Sequence, residues 1–284
     1  MISIIICSKD LYLYNKVQKS IEETIGTLVY EIIKIDNSVE HLAITKAYNI
    51  GIYRAKYDYL LFIHEDILFH TVNWGNILLS IFRDDSQIGL IGIAGTKYKS
   101  QFPSAFWHTE EEMLNINLIQ HYENKKPSQF RLGFKNGNIE KVVAIDGVFI
   151  SLRKSSGVKF NEHIEGFHCY DLGISVDVIE KKMEIVVTDQ ILIEHFSIGN
   201  ANLDFVRGVI NFHKLYKEKL PKYIEEKNVP LEYFALKRFL EVCLQNRFVP
   251  IKFWIFNLIN SPFDRLNYNI VKLLVYKFKR KLKL

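Results

Sequence analysis

His64-Glu65-Asp66 follows the apolar run Tyr59-Leu60-Leu61-Phe62-Ile63 without a break. A short apolar run of this kind reads as a buried strand. The spacing therefore predicts two carboxylates at a strand's carboxyl end, the edge at which open α/β sheets bind ligands. Paired acids there suit a hard divalent cation, Mg²⁺ or Mn²⁺, which takes further oxygen ligands from a diphosphate. A solvated acidic turn would look the same. Two more residues could complete a site: Asp171, in Phe167-His168-Cys169-Tyr170-Asp171, and His195, after the last apolar run. In a doubly wound sheet, Asp66 and His195 could hold the cation while Asp171 takes a proton from an attacking hydroxyl. Taken singly, Asp171 is equally a helix N-cap, and His195 a histidine satisfied at a strand end.

The elements that must position these groups can be traced from the pattern. Ile2 to Cys7 forms a first apolar run, and Val17, Ile21 and Ile25 repeat at helical spacing before Gly26, which predicts a helix near 11 to 25 capped by glycine. Leu28 to Ile35 reads as a second strand ending in the turn-forming Asp36-Asn37-Ser38. A second helix is expected over 40 to 55 in spite of Gly51, which points to close packing or ligand approach. Tyr57 to Ile63 is then the third strand. This alternation argues for a parallel sheet with helical crossovers. Beyond it, Ile88 to Ala94 reads as a strand and 95 to 138 as a long polar loop, in which Phe102, Phe106, Trp107 and His108 could wall an acceptor pocket. A β-rich run surrounds Asp146-Gly147; residues 171 to 182 should be helical, and Ile185 to Ile193 the last strand. Strand character ends near residue 200, which divides the chain into an α/β domain, 1–200, and a helical region, 201–284.

Composition bounds the class of protein. With 284 residues, 48% hydrophobic and 24% charged, the chain can bury a large core. Cys7, Cys169 and Cys243 show no paired spacing, so a disulfide framework or zinc site is not expected and a reducing cytosol is the simplest location. Met1 to Ile6 lacks a basic leader and reads as a strand rather than a signal core. The net charge of +5 is concentrated in residues 272–284, where Lys272, Lys277, Lys279, Arg280, Lys281 and Lys283 alternate with apolar side chains and no acid. Such a segment matches an anionic membrane surface at the inner face of the cell membrane as well as it matches a frayed basic terminus. The rest of the chain has no basic stripe, so nucleic acid is not an expected partner.

The ordered set of Ile2-Ser3-Ile4-Ile5-Ile6-Cys7-Ser8, Ala47-x-Asn49-x-Gly51, His64-Glu65-Asp66, Asp146-Gly147 and Tyr170-Asp171 resembles GT-A glycosyltransferases of the family-2-like group. More narrowly it resembles the branch typified by the streptomycin-biosynthesis protein StrF, in which His-Glu-Asp stands for the usual Asp-x-Asp. The resemblance covers roughly residues 1 to 200. It implies a GT-A, Rossmann-like, mostly parallel central sheet flanked by helices, followed here by a helical extension. Ser8 and Asp36 would contact the nucleoside; Ala47, Asn49 and Gly51 would line the base-binding face. Glu65 would lie near ribose or phosphates, Asp66 and His195 would hold the metal, Asp146 would sit by the donor sugar or acceptor, and Asp171 would be the base. The implied reaction is inverting transfer from a nucleotide sugar, UDP first, to a saccharide or lipid-linked saccharide. The motif departs from the group at His64 and at Tyr170, where Asp and Glu are usual.

Two other classes fit parts of the pattern. One is a nucleotide-sugar-binding scaffold without catalysis, against which Asp66 and Asp171 argue. The other is a sugar-phosphate nucleotidyltransferase, which should carry a Gly-rich basic loop after the first strand, where this chain has Cys7-Ser8-Lys9-Asp10.

Overall fold

A computed structural model describes the chain except for residues 124, 136, 198, 200 and 282–284. The first half contains β1 (Ile2–Ser8), α1 (Leu11–Thr24), β2 (Tyr30–Asp36), α2 (Ile44–Arg54), β3 (Tyr59–Ile63), β4 (Ile67–Phe69), α3 (Trp74–Asp84), β5 (Ile88–Gly92), β6 (Ala94–Thr96), β7 (Tyr98–Lys99), β8 (Leu114–Tyr122) and β9 (Lys125–Leu132). The second half continues with β10 (Ile139–Val142), β11 (Ala144–Ile145), β12 (Phe149–Arg153), α4 (Tyr170–Glu180), β13 (Glu184–Thr188), β14 (Ile193–His195), α5 (Leu203–Tyr216), β15 (Lys222–Tyr223), α6 (Val229–Gln245), α7 (Ile251–Asn260) and α8 (Arg265–Lys281).

The central seven-stranded sheet has the order β2-β1-β3-β12-β5-β13-β10. β1 runs parallel to both β2 and β3, and β13 runs parallel to β5, whereas β12 is antiparallel to β3 and β5, and β10 to β13. Period-two alternation splits β1 between two cores: Ile2, Ile4 and Ile6 pack on the side of α1 and α3, while Ile5 packs on the side of α2. Asp10 caps α1 by accepting from Tyr12 N and Leu13 N, and Gly26 after it takes φ +88°, as the sequence predicts. Gly51 is the close contact of α2: a Cβ there would overlap Ile5 on β1.

A second sheet, β11-β6-β8-β14-β4 with β9 on β8, occupies the segment expected to be a long loop. That expectation is corrected over 95 to 138: β6 to β9 form there because β8 buries Asn115, Asn117 and Leu118 and pairs with β6, β9 and β14. The strand expected to run from Ile185 to Ile193 breaks after Thr188, so β13 completes the first sheet and β14 joins the second.

The change of character near residue 200 does not interrupt the core. Phe205, Val206, Val209, Phe212 and Tyr216 of α5 belong to the same buried cluster as Ile4 and Ile63. Further on, the buried Glu232 of α6 accepts from Tyr98 Oη at 2.7 Å, Ser100 Oγ at 2.6 Å and Gln101 N at 3.0 Å, tying the helices to β7. Leu236, Leu240, Leu266 and Ile270 form a separate small core between α6 and α8.

Candidate active site

The sheet order reverses at β1, which has β2 on one side and β3 on the other. Such a switch point opens a crevice at the carboxyl ends of the strands. A cleft of about 410 Å³ lies there, its wall including Ser8, Asn37, Tyr48, His64, Asp66 and Tyr170. The antiparallel β12 starts beside the end of β3, with Phe149 opposite Ile63, so the Asp146-Gly147 turn arrives at the same edge.

In the bend that links β3 to β4, His64 and Asp66 both reach the cleft wall. Glu65, between them, lines the same cleft. Its buried carboxylate accepts from Lys9 N at 3.2 Å and Asp10 N at 3.2 Å, and thereby fixes the turn between β1 and α1. β14 lies between β4 and β8, with His195 opposite both Ile67 and Gln120, which brings the imidazole beside Asp66. Asp66 Oδ1 is 3.8 Å from His64 Nδ1 and 3.6 Å from His195 Nε2. One ligand atom from each of the three residues lies within 4.8 Å of the others.

The hydrogen bonds behind these rings set their tautomers. Gln120 gives its amide protons to His121 O and Ser197 O, so its Oε1, 3.1 Å from His195 Nδ1, accepts the proton of that nitrogen. His195 Nε2 is then a lone-pair donor, buried and without a hydrogen-bond partner. Burial, then the neighbouring His64, holds the His195 imidazole below its ordinary pKa and hence neutral. The Tyr170 hydroxyl donates to Gly147 O at 3.1 Å and lies 2.7 Å from His64 Nε2, from which it accepts. His64 Nδ1 therefore also presents a lone pair toward Asp66. Two imidazoles and a carboxylate, with outer partners orienting the rings, are the donor set of a divalent-cation site. The buried, unpartnered His195 Nε2 is the observation that the site fits an ion. Gly147 must be glycine for this arrangement, since a Cβ would overlap the Tyr170 hydroxyl.

Asp171 stands in the first turn of α4, next to Tyr170, and accepts from Leu172 N at 2.8 Å. It is not part of the cleft wall; its carboxylate faces the Asp146-Gly147 turn. Burial, then the charge of Asp146, pushes it up to about 7, against which the Leu172 and Gly147 amides act. Asp146 in turn accepts from Val148 N at 2.8 Å.

The other expected residues are less gathered. Ser8 is buried in the cleft wall. Asp36 is exposed, accepts from Ser38 N and Oγ, and is held below its ordinary pKa by those bonds; Asn37 lines the cleft instead. α2 contributes Ile44 and Tyr48 to the wall. Ala47 is in the core, Gly51 against Ile5, and Asn49 bonds Phe160 O, Phe160 N and Glu162, so these three are not brought to the cleft. Sequence reasoning did not name His64 as a candidate ligand, although it stands in the same tripeptide as Asp66. Gln120 gave no signal at all.

Residues 3–202 match the model of a family described as "Glycosyltransferase like family". No curated protein matches the sequence. Two solved structures share the fold at 9% identity and a TM-score of 0.50: GalNAc-T7 with UDP, GalNAc and Mn²⁺, over 92% of this chain and 57% of that one, and S. aureus TarS 1-349 in complex with UDP-GlcNAc, over 86% and 72%. This chain thus spans little more than half of the GalNAc-T7 chain, and both likenesses are of GT-A architecture. Because the family match runs from β1 to the cap of α5, taking in both sheets and the cleft between their edges, the chain belongs to the glycosyltransferase-like family.

Proposed function

We propose that this protein is a metal-dependent, inverting glycosyltransferase. It moves a sugar from a nucleotide diphosphate donor, UDP-linked in first place, to a hydroxyl of a saccharide or lipid-linked saccharide. The observation that carries the reading is the convergence of His64 Nδ1, Asp66 Oδ1 and His195 Nε2 on the wall of the switch-point cleft. His64, Asp66 and His195 would hold the cation, which when bound neutralises charge developing on the leaving diphosphate. Two imidazoles favour Mn²⁺ over the harder Mg²⁺. The GalNAc-T7 structure contains UDP and Mn²⁺ and the TarS structure UDP-GlcNAc, which supports donors of this class here.

The chain's own residues supply the rest. Ser8 and Asn37, in the cleft wall, would contact the nucleoside, and Tyr48 and Tyr170 line the same cleft. Asp171, ionised, accepts the proton of the acceptor hydroxyl as that oxygen forms its bond to the anomeric carbon. The anomeric carbon's bond to the diphosphate breaks in the same displacement, so the product has inverted configuration and no covalent sugar intermediate forms. Asp146 keeps the Asp171 carboxylate basic by its charge. The His at the head of the acidic motif supports placement in the StrF-like branch.

Incubating the purified chain with a panel of nucleotide sugars and Mn²⁺ tests the reading. Release of free nucleoside diphosphate is expected, and pyrophosphate release or binding without turnover would overturn it. An inner-face, cytoplasmic location is proposed with it; among the described residues no helix is long and apolar enough to cross a membrane.

A further inference from the structure

The C-terminal helices turn apolar stripes outward. On α7, Ile251, Ile255, Leu258 and Ile259 are exposed while Asn257 is buried; on α8, Tyr268, Val271, Val275 and Phe278 are exposed while Leu266 and Ile270 are buried. Phe263, in the link between the two helices, is 100% exposed and Ile259 73%. Helices with this pattern are either covered by a partner or inserted in an interface. Charge decides which. Residues 246–284 carry nine Lys and Arg against one acid, Asp264, whereas the remainder of the chain holds more acids than bases. Lys237 takes that acid at 3.0 Å. A pocket of about 360 Å³ beside these stripes is lined by Arg247, Leu273, Tyr276, Lys277 and Arg280, and among the described residues none of its three cations has a carboxylate partner.

We propose that α7 and α8 form a docking face for an anionic lipid bilayer, with the pocket of Arg247, Lys277 and Arg280 holding a lipid phosphate and the flanking apolar side chains entering the leaflet. A second copy of the chain is a poor occupant, since pairing would place two strongly cationic faces together. The inference does not depend on the transferase reading. It extends the expectation for residues 272–284 to α7 and Arg247, although residues 282–284 lie outside the described part of the chain.

Flotation of the full chain with phosphatidylcholine vesicles, with and without phosphatidylglycerol, tests it. Wild type should float with the anionic vesicles and not with the neutral ones, less at high salt. Arg247→Glu with Lys277→Glu and Arg280→Glu should weaken binding roughly a hundredfold or more, each cation being worth about a factor of five near an anionic surface. Ile259→Asp should weaken it roughly tenfold through lost apolar burial. All variants should keep the wild-type melting profile, as the changed side chains are exposed. Failure of wild type to float, equal flotation with both vesicle types, or self-association that Ile259→Asp abolishes would each overturn the proposal.

Discussion

At the scale of single residues, neighbours in the same two motifs do different work. Asp171 is pushed up to about 7 by burial and by Asp146, so transfer should rise with pH through that region as the base ionises. The same shift has a cost in stability. A carboxylate held protonated in the fold but ionising near 3.8 when unfolded contributes stability that is full below pH ~4 and is lost as pH rises through about 7. Asp171→Asn should therefore abolish transfer while retaining donor binding, and at pH 8 should melt a few degrees above wild type. An unchanged turnover number, or a lower melting temperature at pH 8, would remove Asp171 from this role. Tyr170 works at one remove. Its hydroxyl accepts from His64 Nε2 and so frees Nδ1; Tyr170→Phe should lower Mn²⁺ affinity by roughly tenfold or more with the fold intact. Titration of Mn²⁺ against both forms checks this, and equal affinities would contradict it.

At the scale of elements, the sequence displayed what local patterns encode. The apolar run of β1, the helical spacing and glycine end of α1, and the position of the acidic motif after β3 were legible because each depends on residues near in sequence. The second sheet was not, since β8 is stabilised by β6, β14 and β9, partners that no local periodicity reveals. The site divides the same way. Asp66, His195 and Asp171 could be named from their positions at element ends, but the Gln120 partner of His195 exists only through the register of β8 and β14. Gly51 carried two readings from sequence, close packing and ligand approach at the base-binding face, and the structure sets it against Ile5 and away from the cleft wall. Gly51→Val should force α2 off β1 and destabilise the fold by about 1–3 kcal/mol, the range for overpacked cores. Thermal or urea unfolding reads that loss; an unchanged midpoint would mean that α2 does not seat on β1 as described.

At the scale of the whole molecule, the division of sequence character near residue 200 and the extent of the core do not coincide. α5 places five large apolar side chains in the cluster shared with the sheet, each worth about 1.5–3 kcal/mol of burial. Residues 1–200 alone should accordingly show no cooperative unfolding transition, because that burial is comparable to the whole stability of a domain; a sharp melt of the truncated chain would show that α5 is dispensable. With α5 in place, both sheets and α4 converge on one cleft, and the central claim is that a cation held by His64, Asp66 and His195 anchors a nucleoside diphosphate there. Calorimetric titration of UDP into the full chain tests it most directly. Binding should require Mn²⁺, vanish with chelator, and fall together in His64→Ala, Asp66→Ala and His195→Ala at unchanged melting temperature. UDP binding of equal strength in chelator, or in all three variants, would contradict the account.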